Sequence, residues 1–312
     1  MLAIIIGLVI GIGLPIQTSI NSRLKLSVGS PFVASLISFT IGTLFLAIIT
    51  FFKDGSLFFA PKLIVQQPIW LWVGGILGVI YLTSNILLFP KLGSVQTVIM
   101  PILGQIIMGL LIDNFGLFNS LRKPLTLLRV IGAILVIIGV IGAVSINGII
   151  TKRHDKILNK VTNKRKLWPY RLAGIITGMF SASQTAINGH LGVVLHSSVK
   201  AAFISFFVGV VALIIIVLVL HPQLKLTTIK GKNPWWMWLG GLIGALFVLG
   251  NVYLVPIIGT GFAVVIVLVG LITGSLLIDQ FGLFDSKKNP ITLAQIVSLL
   301  VMISGVVMIR IL

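Results

Sequence analysis

The stretch LLIDNFGLFNS at 110–120 recurs as LLIDQFGLFDS at 276–286, with nine of eleven positions identical. A copy of this quality at a spacing of 166 residues marks a duplicated unit. Moving upstream at that spacing, Pro68, Trp70, Trp72, Gly74, Gly75, Gly78, Asn85, Pro90 and Gly93 return as Pro234, Trp236, Trp238, Gly240, Gly241, Gly244, Asn251, Pro256 and Gly259. Further upstream the spacing becomes 167: Ile37, Ser38, Phe39 and Gly42 match Ile204, Ser205, Phe206 and Gly209, and the segment from Gly11 to Asn21 matches that from Gly178 to Asn188. A single net insertion or deletion separates two copies that together fill most of the chain.

Each copy holds five apolar stretches, near 2–21, 31–52, 69–89, 94–112 and 126–147, then 169–188, 199–220, 235–255, 260–279 and 291–311. Their lengths suit a bilayer crossing of about 20 residues. Turn signals such as Gly29-Ser30-Pro31 and Lys53-Asp54-Gly55 separate them. Trp70, Trp72, Trp235, Trp236 and Trp238 stand at the starts of the third and eighth stretches, where an interfacial aromatic belt belongs. Five is odd, so two directly joined copies must cross in opposite senses. The expected fold is an all-α integral membrane protein with ten transmembrane helices as two inverted five-helix repeats. The expected organisation is a first repeat over 1–150, a basic linker over 151–168 and a second repeat over 169–312.

Composition excludes the other classes. Of 312 residues 57% are hydrophobic and 9% charged, with mean hydropathy +1.18. A soluble domain carries roughly 25% charge. The absence of cysteine removes disulfide and thiolate chemistry. The apolar N-terminus lacks a basic leader and reads as a retained first span. The net charge of +18 arises from 23 Lys and Arg against 5 Asp and Glu. Eight of those cations lie between Lys152 and Arg171, the distribution of a topology signal and not of a duplex-binding face, so no nucleic-acid partner is expected. Sixteen Lys and Arg fall on the linker's side of the membrane and seven on the other. The positive-inside rule then puts the linker in the cytoplasm and both termini outside a multi-pass protein of the cytoplasmic membrane. The first repeat alone counts five against three in the opposite sense, so the linker decides the orientation.

Three features combine: a Gln and an Asn four residues apart late in the first span, Trp-x-Trp-x-Gly-Gly before the third span with a later Asn, and LLID-x-FGLF after the fourth. The combination resembles the YdcZ-type branch of the drug/metabolite transporter superfamily, and does so twice over nearly the whole chain. The resemblance implies a fused ten-span transporter of small molecules, acting as a monomer or homodimer in the lipid bilayer, and supplies no substrate. Small multidrug members of the superfamily bind cations through a glutamate in the first span. This chain has no Glu at all and carries Gln there, so a neutral or zwitterionic solute is expected.

Gln17 and Gln184 occupy matching places deep in spans one and six. An amide in hydrocarbon must face the bundle interior or a wet cavity, where it can donate to and accept from a solute or tie two helices together. Asn21 and Asn188 share their faces one turn on. Asn85 and Asn251, with Tyr81 or Phe247 one turn earlier, are further candidates to line a solute path. Asp113 and Asp279 are the repeated acids; each is either a coupling or gating carboxylate or a cap on the following Phe-Gly-Leu-Phe turn. Pro15 and Pro101 have Ala182 and Val267 as counterparts, and Gln96 and Gln105 have Phe262 and Leu271. The first repeat is therefore expected to do more of the bending and binding. No Ser/His/Asp set, HExxH or other catalytic pattern is present, and His154, His190, His196 and His221 are scattered near loops, so neither an enzyme nor a cofactor or metal is expected. The expected function is secondary transport, with export the favoured direction; a channel-like facilitator and a non-transporting scaffold are the alternatives.

Overall fold

The computed structural model describes residues 2–120, 122–157, 167–222, 233–258, 260–286, 288 and 290–311, and of these the side chains of 144–157, 252–253, 255–258, 260–265 and 310–311 are outside the description. Most of the basic linker, the side chain of His154, Lys225, Lys230, Lys232, Gly259, the side chain of Phe262 and Lys287 thus lie outside the described residues. The helices are α1 (Leu2–Val28), α2 (Pro31–Asp54), a short α3 (Lys62–Gln66), α4 (Gly74–Phe115), α5 (Leu127–Ile157), α6 (Trp168–Val194), α7 (Ser198–Leu220), α8 (Gly240–Ile258), α9 (Thr260–Phe281) and α10 (Leu293–Ile311). By length and composition α1, α2, α4 and α7 are long and apolar enough to cross a membrane over their described residues.

The 42 residues of α4 provide two crossings, because Gly93, at φ 77°, is non-helical and reverses the chain. Against α6, Leu88 lies at Gly174 and Gly78 at Gln184, whereas Pro101 lies at Gly178 and Gln105 at Ser181. The arms 74–92 and 94–115 therefore run in opposite directions along one helix. With α3 set aside as too short, ten crossings result, five per repeat, and the expected inverted pair is the observed one.

The halves interlock. α1 packs on α8 and α9, α6 packs on both arms of α4, α2 faces α7, and α5 faces α10. Every major contact thus crosses from one repeat to the other and has a mirror contact. Phe39 packs on its own counterpart Phe206, the rings tilted by 35° with 5.0 Å between centroids, which puts the pseudo-two-fold axis between them. Glycines allow the close approach without a competing hydrophobic effect in lipid. Gly42 faces Phe206 and Gly209 faces Phe39; Gly75 lies on the Ser205 carbonyl and Gly241 on the Ser38 carbonyl. Gly132 and Gly305 seat α5 against α10 in the same way.

A side chain at Gly104 would strike the carbonyl of Ile175 in α6, where neither backbone can yield. Gly104→Leu is expected to cost about 3 kcal/mol and to abolish the monodisperse peak in detergent chromatography. Gly189→Ala, with no atom within 4 Å of the added carbon, is expected to leave that peak intact.

Candidate functional site

The four repeated amides of α1 and α6 meet the glycines of the opposite repeat. Asn21 Nδ2 donates to Ser38 Oγ at 3.2 Å, and Asn188 Nδ2 to Ser205 Oγ at 3.0 Å. Their Oδ1 atoms fill the space that a side chain would need at Gly240 and Gly74, and neither has a hydrogen-bond partner among the described residues. Gln17 rests in the same way on Gly244, and Gln184 on Gly78, where an added carbon would lie 2.6 Å from Nε2. The two sets differ in access. Gln17 and Asn21 are buried, at 7% and 0% exposure, whereas Gln184 and Asn188 are half-buried.

A second set of polar groups lies between α4 and α6. Tyr81 lies beside Asn85 and Gln105. The Gln105 amide donates to Ser181 Oγ at 3.2 Å, and Arg171 Nε donates to Gln96 Oε1 at 3.1 Å. Asn85 Oδ1 is buried and accepts no hydrogen bond from the described residues. Counted from the linker face, Arg171 and Gln96 come first, then Asn85, then Gln105, Ser181 and Tyr81, then Gln184 and Asn188. Together they make a polar lane between α4 and α6. Ser181 is the middle residue of α6, so the centre of the lane is halfway along that helix. The mirror interface, of α1 with α8 and α9, has Phe247 for Tyr81, Leu271 for Gln105 and Leu14 for Ser181. There Asn251 is bonded locally, Nδ2 to the Phe247 carbonyl at 2.9 Å, and the open volume of about 310 Å³ between α1 and α8 is an apolar groove lined by Val9, Ile16, Ile243 and Phe247.

The two ends of the bundle also differ. On the linker face, Arg23 is buried at 3% exposure, donates to Asp285 Oδ2 at 3.0 Å and reaches Ser27; Trp236 packs on Phe284 beside it. Ser19 and Ser22 are buried there too, around a cavity of about 40 Å³. On the face of the termini the counterparts of Arg23 and Asp285 are His190 and Asn119, which share one exposed hydrogen bond of 3.0 Å. Trp70 stacks on His190 and packs on Phe118, and Gly189, the counterpart of Ser22, is exposed. The tryptophans expected in an aromatic belt therefore split: Trp70 and Trp236 turn inward onto these ends, while Trp235 stays 75% exposed.

The repeated acids play unlike parts. Asp279, 3% exposed, accepts from the backbone N–H of Ser94 at 3.0 Å and of Val95 at 3.3 Å, the first turn of the second α4 arm. It caps a helix of the other repeat, with the carboxylate at the positive end of the helix dipole. Asp113 pairs with Arg129. The loops after the Phe-Gly-Leu-Phe turns are held by the neighbouring residue: Asn114 Oδ1 accepts from Leu125 N–H and Gln280 Oε1 from Ile291 N–H. Pro15 and Pro101 lie within unbroken helix and pack at Gly274 and Gly178; the break is at Gly93. Arg129 and Arg171 are the functional candidates that the repeat pattern passes over, since their counterparts are Gln295 and Ile4. The signal available was an unrepeated cation inside or beside an apolar run.

The profile of a protein family described as "Putative inner membrane exporter, YdcZ" matches residues 2–142 and again 169–308. Among curated proteins none matches the chain. One solved structure, described only as "Crystal structure of protein", superposes with a TM-score of 0.60 at 15% identity, covering 99% of this chain and 97% of that one, a likeness of fold alone.

Proposed function

As the chain belongs to the YdcZ family of inner membrane exporters, we propose that it carries a small polar solute out across the cytoplasmic membrane by alternating access, with the solute passing along the lane between α4 and α6. The linker lies in the cytoplasm and the termini outside. The observation that carries this reading is the one-sidedness of the polar groups. A role in holding the halves together would be served equally at both interfaces. Yet Tyr81, Gln105 and Ser181 face one another at α4 and α6, and Phe247, Leu271 and Leu14 occupy the mirror positions. Asn85 Oδ1, buried without a donor, is a lane atom that a solute N–H or O–H would satisfy.

The test uses the purified protein and a metabolite library, read as thermal stabilisation. A solute at a hundredfold excess over its Kd adds about 2.7 kcal/mol of stability. Gln105→Leu and Tyr81→Phe install the other repeat's side chain or its nearest match, so both variants should fold. Each is expected to lose most of the stabilisation by the solute that the parent protein binds. A solute whose effect survives both changes but disappears in Gln17→Ala would move the site to the α1 interface and defeat the lane.

A further inference from the structure

We infer that the transported solute presents an anionic group, a carboxylate or phosphate, to Arg171 and Gln96 at the linker-face mouth of the lane; the inference rests on the lane reading above. Neither residue is demanded by the repeat. The counterpart of Arg171 is Ile4 and that of Gln96 is Phe262, so both are additions to the side of the bundle that also holds the polar residues. Gln96 is buried at 8% exposure, and its carbonyl oxygen takes the Nε proton of a half-buried Arg171. The rest of the guanidinium fork remains for a ligand.

The charge is uncompensated. Four acids have described side chains, and each is engaged: Asp54 with Lys200, Asp113 with Arg129, Asp285 with Arg23, and Asp279 on the amides of Ser94 and Val95. Among the described residues Arg171 has no ion pair, and its partner is a neutral amide. A partly desolvated guanidinium in that setting is costly until an anion arrives, and Arg is the side chain whose fork matches a carboxylate or phosphate. The neighbouring cation, Lys91, has the same sign: it sits over the ring of Tyr170, 6.0 Å from its centroid, beside Arg171. The nearby carboxylate of Asp279 is taken up by the amides of Ser94 and Val95 at the start of the second α4 arm. Exposed cations on this face also serve topology and attract anionic lipid. That accounts for Lys91, which is exposed, but not for a guanidinium bonded to a buried glutamine between two helices.

The natural absence of cysteine makes the test direct, because Ser181→Cys is the sole thiol in the full chain. The protein, reconstituted in phosphatidylcholine liposomes, is treated from each side with anionic sulfonatoethyl methanethiosulfonate or cationic trimethylammonioethyl methanethiosulfonate. A cleft lined by one sign of charge concentrates counter-ions by roughly tenfold or more. With each rate normalised to that of the same reagent with free 2-mercaptoethanol, the anionic reagent is therefore expected to react at least about tenfold faster, with the normalised ratio falling to near one in Arg171→Gln and largely kept in Arg171→Lys. Equal rates in the parent, a preference for the cation, or a ratio indifferent to Arg171→Gln would overturn the inference and leave the lane standing. A thiol that neither reagent reaches from either side, at Ser181 or at Thr185→Cys one turn on, would instead remove the lane itself. A preference that disappears when phosphatidylglycerol is included would show a lipid headgroup on Arg171, which also overturns the inference.

Discussion

Asp113→Ala is expected to destabilise the protein by about 3–5 kcal/mol, the cost of leaving a buried charge without its counter-ion. Arg129 is 6% exposed. Its Nε donates to the Ile309 carbonyl at 3.2 Å, one terminal nitrogen to the Lys123 carbonyl at 2.9 Å, and the other to Asp113. One guanidinium thus ties the end of α4, the loop that follows it and the end of α10. Removing the carboxylate leaves those carbonyls to hold a full positive charge in a low-dielectric setting. In the second repeat a neutral amide, Gln295, stands at the place of Arg129, so the fold accommodates Gln at that position. The double variant Asp113→Ala/Arg129→Gln should therefore recover at least half of the loss. Unfolding in mixed micelles, run on the two single variants and the double, reads the coupling. A loss under about 1 kcal/mol for Asp113→Ala would put the pair in the class of solvent-screened surface bridges and overturn this account.

Much of the architecture was legible because duplication writes itself into sequence. Although α1 runs on to Val28 past the expected end at 21, the number of spans, the inversion and the matched places of Gln17, Gln184, Asn21 and Asn188 all follow from setting one half against the other. Their partners did not, because repeat matching pairs Gln17 with Gln184, whereas the fold pairs Gln17 with Gly244 and Gln184 with Gly78. The matched glycines and the amides were separate signals in the sequence; in space they are two sides of one contact. Asp279 escaped for a related reason. Its ligands are backbone amides of the other repeat, 185 and 184 residues away in sequence, and backbone donors carry no sequence signature. The asymmetry between Gln105 and Leu271 was visible, but its meaning depended on learning that α6 lies against that face of α4 and supplies Ser181. Arg171 was counted with the basic linker, and only its bond to Gln96 separates it from a topology charge.

Exchanging the chemistry of the two ends is expected to exchange which end is open. The halves have nearly the same spans but are not equally closed: Ser22 is 8% exposed beside Arg23 and Asp285, while its counterpart Gly189 has nothing within 4 Å of where a side chain would begin. In an inverted repeat the alternate state is reached when each half takes up the arrangement of the other. What favours closure at the linker face is an ion pair with a buried guanidinium; what the opposite face has is an exposed His190–Asn119 hydrogen bond. The fourfold variant Arg23→His/Asp285→Asn/His190→Arg/Asn119→Asp moves the pair across the membrane and leaves the side-chain inventory of the whole chain unchanged. Single thiols at Ser22→Cys and Gly189→Cys report the two ends. In the parent Gly189→Cys should be labelled fast and Ser22→Cys slowly. In the exchanged protein the order should reverse, each rate shifting by on the order of tenfold, since a coupling of 1–3 kcal/mol moves a two-state equilibrium by about 5- to 150-fold. Labelling at both ends that ignores the exchange would mean that the ends do not close in alternation. The lane would then serve a passive facilitator, whose flux does not depend on opening one end only after the other has shut.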